Sequence, residues 1–563
     1  MAHVHLSYSS DRKTVKAEII AEHRDKVGLT YSFDNEKQNS NTKMFSSSDK
    51  GPVAVAVMGA DGSKIELDPI DFLWDAPSVT PKNPSGDYRD GQKGAIIEMF
   101  MWPHTDIAKE CEMLSKLGYL GVKLFPAQEQ VMSFQPFENA LNPWYFCYQP
   151  VSYRLHGRMG TRDDLREAIQ TCRRFGVRVY ADAAINHMSG GGNDANTKHR
   201  NPNAGCATWG AKTSSLEVNN INTAISDGPS PYYTQNFVYT EGSYTGKPPS
   251  QEFPAAHLGP TDFHCERSLN SWTDPLILNA GWLTGLTDLN TEKESVQDRI
   301  ADYLTDLVSI GFSGIRIDAA KHIHPDSLTQ IFTKLRDNLG GKLPDDFVSW
   351  LEVILGGEAD LLMCNPSSGY NFGLYLENKL KSAGWDQTDV DKIKIWNSGY
   401  PKEPEKGYGC GTISPKRNVI QNDDHDQQNP GSSSRDMAEH GCVLIKGCQV
   451  NDHRNFEIKL FESPRGATNN NDDYPIRLIL SSYYWEDNSI GVPDGLSDCS
   501  KCTTTCDSCK SVQYKPAYVA TSCGYDSGSG VYTRVHRDMS IVNAMRKWMN
   551  LPSISYADVG LHC

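Results

Sequence analysis

The sequence predicts an α/β protein: a parallel sheet, doubly wound or closed as a barrel, preceded by a small antiparallel β-sandwich. Three observations carry this. Residues 1–90 hold short alternating runs such as "VHLSYSS", "TVKAEIIAEH" and "GPVAVAVMGADGSKIELD", parted by Asp, Asn, Ser and Gly, the pattern of half-buried antiparallel strands. From about residue 94 a unit of amphipathic helix, glycine and short apolar strand recurs, and such alternation means parallel strands. No Gly-rich dinucleotide fingerprint follows the first strand, "AIIEMFMW", which weighs against a dinucleotide-binding sheet.

In chain order, the sandwich gives way to a linker, "DAPSVTPKNPSGDYRDGQKG". The repeated unit then appears as "DIAKECEMLSKLGYLGVKLFPA", "TRDDLREAIQTCRRFGVRVYADA" and "SVQDRIADYLTDLVSIGFSGIRIDA", with stops near Gly118, Gly176 and Gly311. In the second copy Leu165, Ala168, Ile169 and Cys172 share one helical face, Thr161 and Asp164 form an N-terminal cap, and Gly176 suits the left-handed residue that ends a helix. "DFVSWLEVI" reads as another strand. Residues 188–275, rich in Gly, Asn, Pro and Ser, break the alternation, and a loop that long is a functional or separate subdomain.

Composition narrows the function. The chain has 563 residues, 38% hydrophobic and 22% charged, enough for one large domain and one or two smaller ones. A net charge of -15 argues against nucleic acid or an anionic membrane as partner. The longest apolar run, around "PVAVAVMGA", is too short to cross a bilayer, and residues 1–20 show no signal peptide. Fifteen cysteines, an odd number, point to an oxidising compartment with several disulfides and a free thiol. The expectation is therefore a secreted or lumenal (vacuolar) protein whose chain begins after its signal. In "CSKCTTTCDSC" (Cys499, Cys502, Cys506, Cys509) disulfides are favoured over zinc.

The chemistry collects at strand ends, where barrels carry their reactive groups. "ADAAINH" brings Asp182, Asn186 and His187; "IRIDAAKH" brings Arg316, Asp318, Lys321 and His322; "WLEVI" brings Glu352; "NVIQNDDHDQQ" brings His425 and Asp426. Singly each reads as an ion pair, cap or solvated loop; together on one rim they read as a site. Arg316 and Asp318 share one strand face, so Arg316 is expected to keep Asp318 ionised. Glu352, flanked by Trp350, Leu351, Val353 and Ile354, is expected in apolar surroundings that raise its pKa. Two such carboxyl groups roughly 5–5.5 Å apart would hydrolyse a glycoside with retention.

These stretches resemble, in order, the conserved regions of the α-amylase family of glycoside hydrolases: "DAAINH", "GIRIDAAKH", "EVI" and "HD", with "LTDLN" (286–290) as a fifth. The resemblance spans about residues 94–550 and is nearest the animal-type enzymes, as "YQPVSYRL" also indicates. It implies a (β/α)8 TIM barrel in two parts, 91–187 and 276–563, with 188–275 inserted after the third strand and the sandwich (1–90) as an accessory domain. It implies Asp318 as nucleophile, Glu352 as acid/base and Asp426 as the third carboxylate. Arg316, His187, His425, Tyr148, Gln149, Lys321, His322, Trp144 and Tyr145 would bind substrate. It implies calcium held by Asn186, Asp288, the His322 carbonyl and Asn279, hard oxygen ligands all. The implied activity is an endo-acting, monomeric α-amylase on starch, glycogen and maltooligosaccharides. The alternatives are a transglycosylase or α-1,6-glucosidase of the family, or a non-catalytic carbohydrate-binding protein.

Two departures stand out. The family's chloride site would place Asp424 where an asparagine belongs and Leu478, not Arg477, at a basic position, so chloride is not expected. The sequence runs to Cys563 soon after the helix "RDMSIVNAMRKWMN", so the family's usual C-terminal sandwich is not expected in it. The N-terminal one is expected to serve a structural role, with starch binding as the alternative, because Tyr8, Tyr31, Phe33 and Trp74 make no pattern of exposed aromatics.

Overall fold

The structure is a computed structural model. It describes residues 1–23, 26–79, 93–130, 144–190, 253–259, 262–264, 268–355, 358–397, 413–422, 425–427, 450–462, 475–481, 517–524 and 534–563. Most of the linker and of the 188–275 insertion, Asp424 and the Cys499–Cys509 cluster lie outside the described residues.

The N-terminal runs form strands β1 (Ala2–Tyr8), β2 (Thr14–Ala21), β3 (Leu29–Phe33), β4 (Glu36–Gln38), β5 (Thr42–Ser46), β6 (Val53–Gly59) and β7 (Lys64–Ile70). They make two antiparallel sheets, ordered β1-β2-β5 and β4-β3-β6-β7. Strand alternation decides which side chains go inward: in β2, Val15, Ala17 and Ile19 are fully buried while Lys16 is exposed and Glu18 half-buried. The aromatics singled out above are largely interior. Phe33 is fully buried, Tyr8 donates its hydroxyl to Ser309 Oγ at 2.9 Å, and Trp74 stacks on Phe72.

Eight parallel strands close the barrel: β8 (Gly94–Met99), β9 (Gly121–Lys123), β10 (Arg178–Ala184), β13 (Gly314–Asp318), β14 (Val348–Val353), β15 (Ile393–Asn397), β16 (Asn418–Gln421) and β17 (Ile476–Ser481), with β17 pairing back to β8. Strands β11 (His187–Gly190) and β12 (Leu286–Asp288) pair antiparallel at the rim. Around the barrel lie α1 (His104–Leu117), α2 (Arg162–Arg174), α3 (Pro275–Ala280), α4 (Glu294–Ile310), α5 (Pro325–Asn338), α6 (Leu374–Ser382), α7 (Gln387–Lys392), α8 (Val450–Glu462) and α9 (Met539–Trp548). Thr161 and Asp164 form the reciprocal cap of α2, and α1 and α4 stop at left-handed Gly118 (φ 102°) and Gly311 (φ 119°). Disulfide Cys111–Cys172 joins α1 to α2, Cys523–Cys563 ties down the C-terminal segment, and Cys147 is a buried free thiol.

One apolar core runs from the sandwich (Val15, Phe33) into the helical shell (Ile300, Leu304, Leu328), while a second fills the barrel lumen. Polar groups fix the sandwich to the barrel. Arg162 of α2 bridges Asp68 and Asp71, at and just after the end of β7, to Asp306 of α4. His3 and His5 of β1 both meet Asp302 of α4. The sandwich is thus built into the barrel wall.

Candidate active site

The lumen is layered. Ile96, Tyr180, Trp350, Trp396, Val419 and Leu478 form an apolar layer, and the inward residues nearer the carboxyl ends are Glu98, Lys123, Asp182, Arg316, Asp318, Glu352 and Gln421. The period of two puts three of the carboxylates two residues beyond an apolar residue, in Ile96–Glu98, Tyr180–Asp182 and Trp350–Glu352. Arg316 is the hub: its guanidinium donates to Asp182 at 2.7 Å, to Asp318 at 3.1 Å and to Glu352. Lys123 donates to Asp182 at 2.7 Å and Glu98 at 3.1 Å, and the Tyr148 hydroxyl donates to Asp182 at 2.9 Å.

Two fixed cations therefore face five carboxylates, Asp426 included. Burial works against Asp182, yet Arg316 and Lys123 hold it below the ordinary carboxylate range. Glu98 is likewise held well below it by Lys123 and His425. Asp318 goes the other way: burial pushes it well up, the Glu352 charge adds, and Arg316 opposes. This corrects the sequence expectation, because Arg316 divides its charge among three carboxylates and does not by itself secure an ionised Asp318. The expected apolar setting of Glu352 holds only in part, with Trp350 and Ile354 on its side of the strand. Leu351 and Val353 point to the opposite face, while Glu352 accepts from Arg316 and, at 2.8 Å, from the Ala319 amide. Ala319 sits in the left-handed region (φ 49°), uncommon for a residue with a Cβ, and this turn aims its N–H at Glu352.

Above this layer opens a cavity of about 600 Å³ with Asp318, Glu352 and Asp426 in its wall. Tyr148, Gln149, His187, Lys321, His322 and His425 also line it, as do Trp144 and Tyr145; Arg316 lies beneath. Asp426 remains the most open of the three carboxylates, its side chain 35% exposed. His425 stacks on Tyr148 with ring centroids 5.3 Å apart. His187 bonds the Tyr148 carbonyl at 3.0 Å, and burial brings it down to about 4. Trp144 is mostly buried, tilted against Phe100 and edge-on to Tyr148 and His425, with little free face for stacking.

Sequence reasoning missed Trp272, which is 47% exposed on the cavity wall with the Lys321 ammonium 4.5 Å from its ring. Lys321 itself is held by Glu358 at 2.8 Å and the Ile354 carbonyl at 2.7 Å. Glu98 and Lys123 were also missed, although each is a lone charge in an apolar strand and was visible as such.

The expected calcium residues fall into two pairs, Asn186 with Asp288 and Asn279 beside His322. Asn186 donates to Asp288 at 3.2 Å, and Asn279 donates to the Lys321 carbonyl at 3.4 Å, next to His322. Asn279 Oδ1 is buried without a hydrogen-bond partner. His264 bonds the other Asp288 oxygen at 2.6 Å. Among the described residues no group of three His, Cys, Asp or Glu forms a metal site, so a cation here would depend on amide and carbonyl oxygens, which calcium accepts. At the expected chloride position Leu478 faces the lumen, and Arg477 turns outward to the carbonyls of Leu460 and Phe461.

The catalytic-domain profile of the α-amylase family matches residues 114–339. A pancreatic α-amylase of Mus musculus is 31% identical over 346 residues, covering 59% of this chain and 57% of that protein. The Homo sapiens pancreatic α-amylase is 30% identical over 373 residues, 64% of this chain and 60% of that one. The chain thus spans less than two thirds of the length of these relatives. Among solved structures, wild-type α-amylase I from Eisenia fetida superposes with a TM-score of 0.51 at 20% identity, covering 82% of this chain and 79% of that one, a likeness of fold.

Proposed function

Because this chain belongs to the α-amylase family of glycoside hydrolases, we propose that it is an endo-acting α-amylase that hydrolyses α-1,4-glucosidic bonds of starch, glycogen and maltooligosaccharides with retention. The observation that carries this reading is the meeting of Asp318, Glu352 and Asp426 in one cavity above Arg316.

In this reading the crowded carboxylates hold a proton between them. For the first step Glu352 must carry that proton and Asp318 must be ionised. Asp318 attacks the anomeric carbon as the bond to the leaving sugar breaks, and the Glu352 proton passes to the departing oxygen. Glu352, now a carboxylate, takes a proton from water, whose oxygen displaces Asp318 from the same carbon; two inversions give net retention. Asp426 and the His187 and His425 rings hold hydroxyls of the reacting sugar, and Tyr148 lies under it. Trp272 offers an open aromatic face to the next sugar.

Calcium fits the residues present. Asn186, Asp288, Asn279 with its unpartnered Oδ1, and the His322 carbonyl would hold it. When bound it supplies cross-linking, joining the end of β10 to β12 and to the turn after β13. The Arg477 and Leu478 orientations support an enzyme that works without chloride. The disulfides support an oxidising compartment, secreted or lumenal. Among the described residues no helix is long and apolar enough to cross a membrane.

The test is hydrolysis of soluble starch against a pure α-1,6-glucan, with calcium and after chelation. Rapid loss of iodine colour with mixed short products from starch alone, weakened by chelation, supports the reading. Cleavage of the α-1,6-glucan alone would replace it with the debranching alternative.

A further inference from the structure

The buried carboxylate of Glu98 has no place in the two-step reaction, yet it is tied to the cavity wall. It projects from β8, accepts from Lys123 of β9 at 3.1 Å and from Gln421 of β16 at 3.1 Å, and meets Nδ1 of His425. The other nitrogen of that ring, Nε2, lies 3.7 Å from Asp426 Oδ2 at the cavity. Each Glu98 oxygen thus has a fixed partner, and the ring is clasped by Phe100, Phe125, Trp144 and Tyr148 at 5.3–5.6 Å between centroids.

We infer that Glu98 is a positioning residue: it accepts the Nδ1 proton of His425, fixes the ring plane, and leaves Nε2–H as a donor facing the cavity and Asp426. This rests on the α-amylase reading for what the donor binds, a hydroxyl of the reacting sugar. A carboxylate behind an imidazole fixes tautomer and orientation in this way wherever it occurs. The charges facing His425 are Glu98 from β8, Lys123 from β9, Asp182 from β10 and Asp426 from its own turn. Burial disfavours the imidazolium and Lys123 opposes it, but Glu98 and Asp426 outweigh them, so the ring holds its second proton to higher pH than an ordinary histidine. Substrate then meets a cationic donor, and its loss, together with that of the Glu352 proton, shapes the alkaline side of the activity profile.

The experiment is a ring-labelled histidine NMR titration of the whole protein, with His425 assigned from the signal lost in His425→Gln, repeated on Glu98→Gln beside kcat/KM–pH profiles. Lys123 keeps Asp182 in that variant. The expected result is a wild-type His425 midpoint above the usual imidazole range, moving down in Glu98→Gln. The alkaline limb of kcat/KM should move with it, by about tenfold in rate at alkaline pH for each unit of displacement. A role confined to stability would lower the rate equally at all pH values. A wild-type midpoint at or below the ordinary value, or a limb that Glu98→Gln leaves in place, overturns the inference. Should Glu98→Gln fail to fold, the wild-type titration decides alone. Should the protein titrate as expected yet cleave no glucan, the dyad stands and the enzymatic reading falls.

Discussion

The junction between sandwich and barrel should weaken in acid, and the cause is one pair of rings. Because β1 alternates faces, His3 and His5 both reach the barrel, where His3 Nδ1 lies 2.7 Å from His257 Nδ1. One ring must donate and the other accept, so a second proton would set two N–H groups face to face. Burial, then the Arg299 charge, bring His3 down to about 4 despite Asp302. The sign follows: a histidine lowered on folding leaves the unfolded chain to take up the proton first. Stability is complete above the unfolded value near 6.5 and is lost as pH falls toward 4. At about 1.36 kcal/mol per pH unit, the drop from 6.5 to about 4 amounts to about 3 kcal/mol, counted once because the two rings share one hydrogen bond. His5, raised by its Asp302 bond, works in the opposite sense and does not depend on His257. Urea unfolding of wild type and His3→Gln at pH 7.5 and pH 4 measures the effect. Wild type should lose about 3 kcal/mol more than the variant across that interval. Equal losses, within about 0.5 kcal/mol, would refute the assignment of acid sensitivity to this pair.

Other outcomes follow from the same geometry. Asp318→Asn should lower turnover on the order of 10³-fold or more while calorimetry still detects maltooligosaccharide binding; near-normal turnover would remove Asp318 from the mechanism. Arg162→Ala leaves Asp306 without the guanidinium that holds both its oxygens, while Asp68 keeps Arg154, and should cost about 3–5 kcal/mol in urea unfolding, whereas a loss below about 1 kcal/mol would make the junction a surface contact. Asn279→Leu should shrink the difference in thermal midpoint between calcium and chelator; an undiminished difference would exclude Asn279 as a ligand.

Much of this was legible in the sequence. The helix–glycine–strand units gave their strands because Gly118 and Gly311 end helices in a conformation that residues with a Cβ disfavour. Arg316 and Asp318 could be placed on one face by parity alone. Parity applied to Glu352 would also have kept Trp350 and Ile354 on its face while turning Leu351 and Val353 away, so only half of the apolar setting came from reading neighbours in sequence as neighbours in space. Glu98 and Lys123 share that lesson: each is one charge inside an apolar run, and it takes the pairing of β9 with β10 to bring Lys123 to Asp182 and closure of β17 on β8 to bring Glu98 to His425. Trp272 lay in a stretch without periodicity, where sequence offers no register. The three-way division of Arg316 is a property of the closed sheet, since Asp182, Asp318 and Glu352 come from three adjacent strands.

The most direct test of the central claim is the anomeric configuration of the first product. Proton NMR of maltooligosaccharide hydrolysis, recorded before mutarotation, reads it within minutes of mixing. A covalent Asp318 intermediate requires new reducing ends that appear as the α-anomer. Initial release of the β-anomer would mean a single inverting displacement, and would contradict the roles given to Asp318 and Glu352.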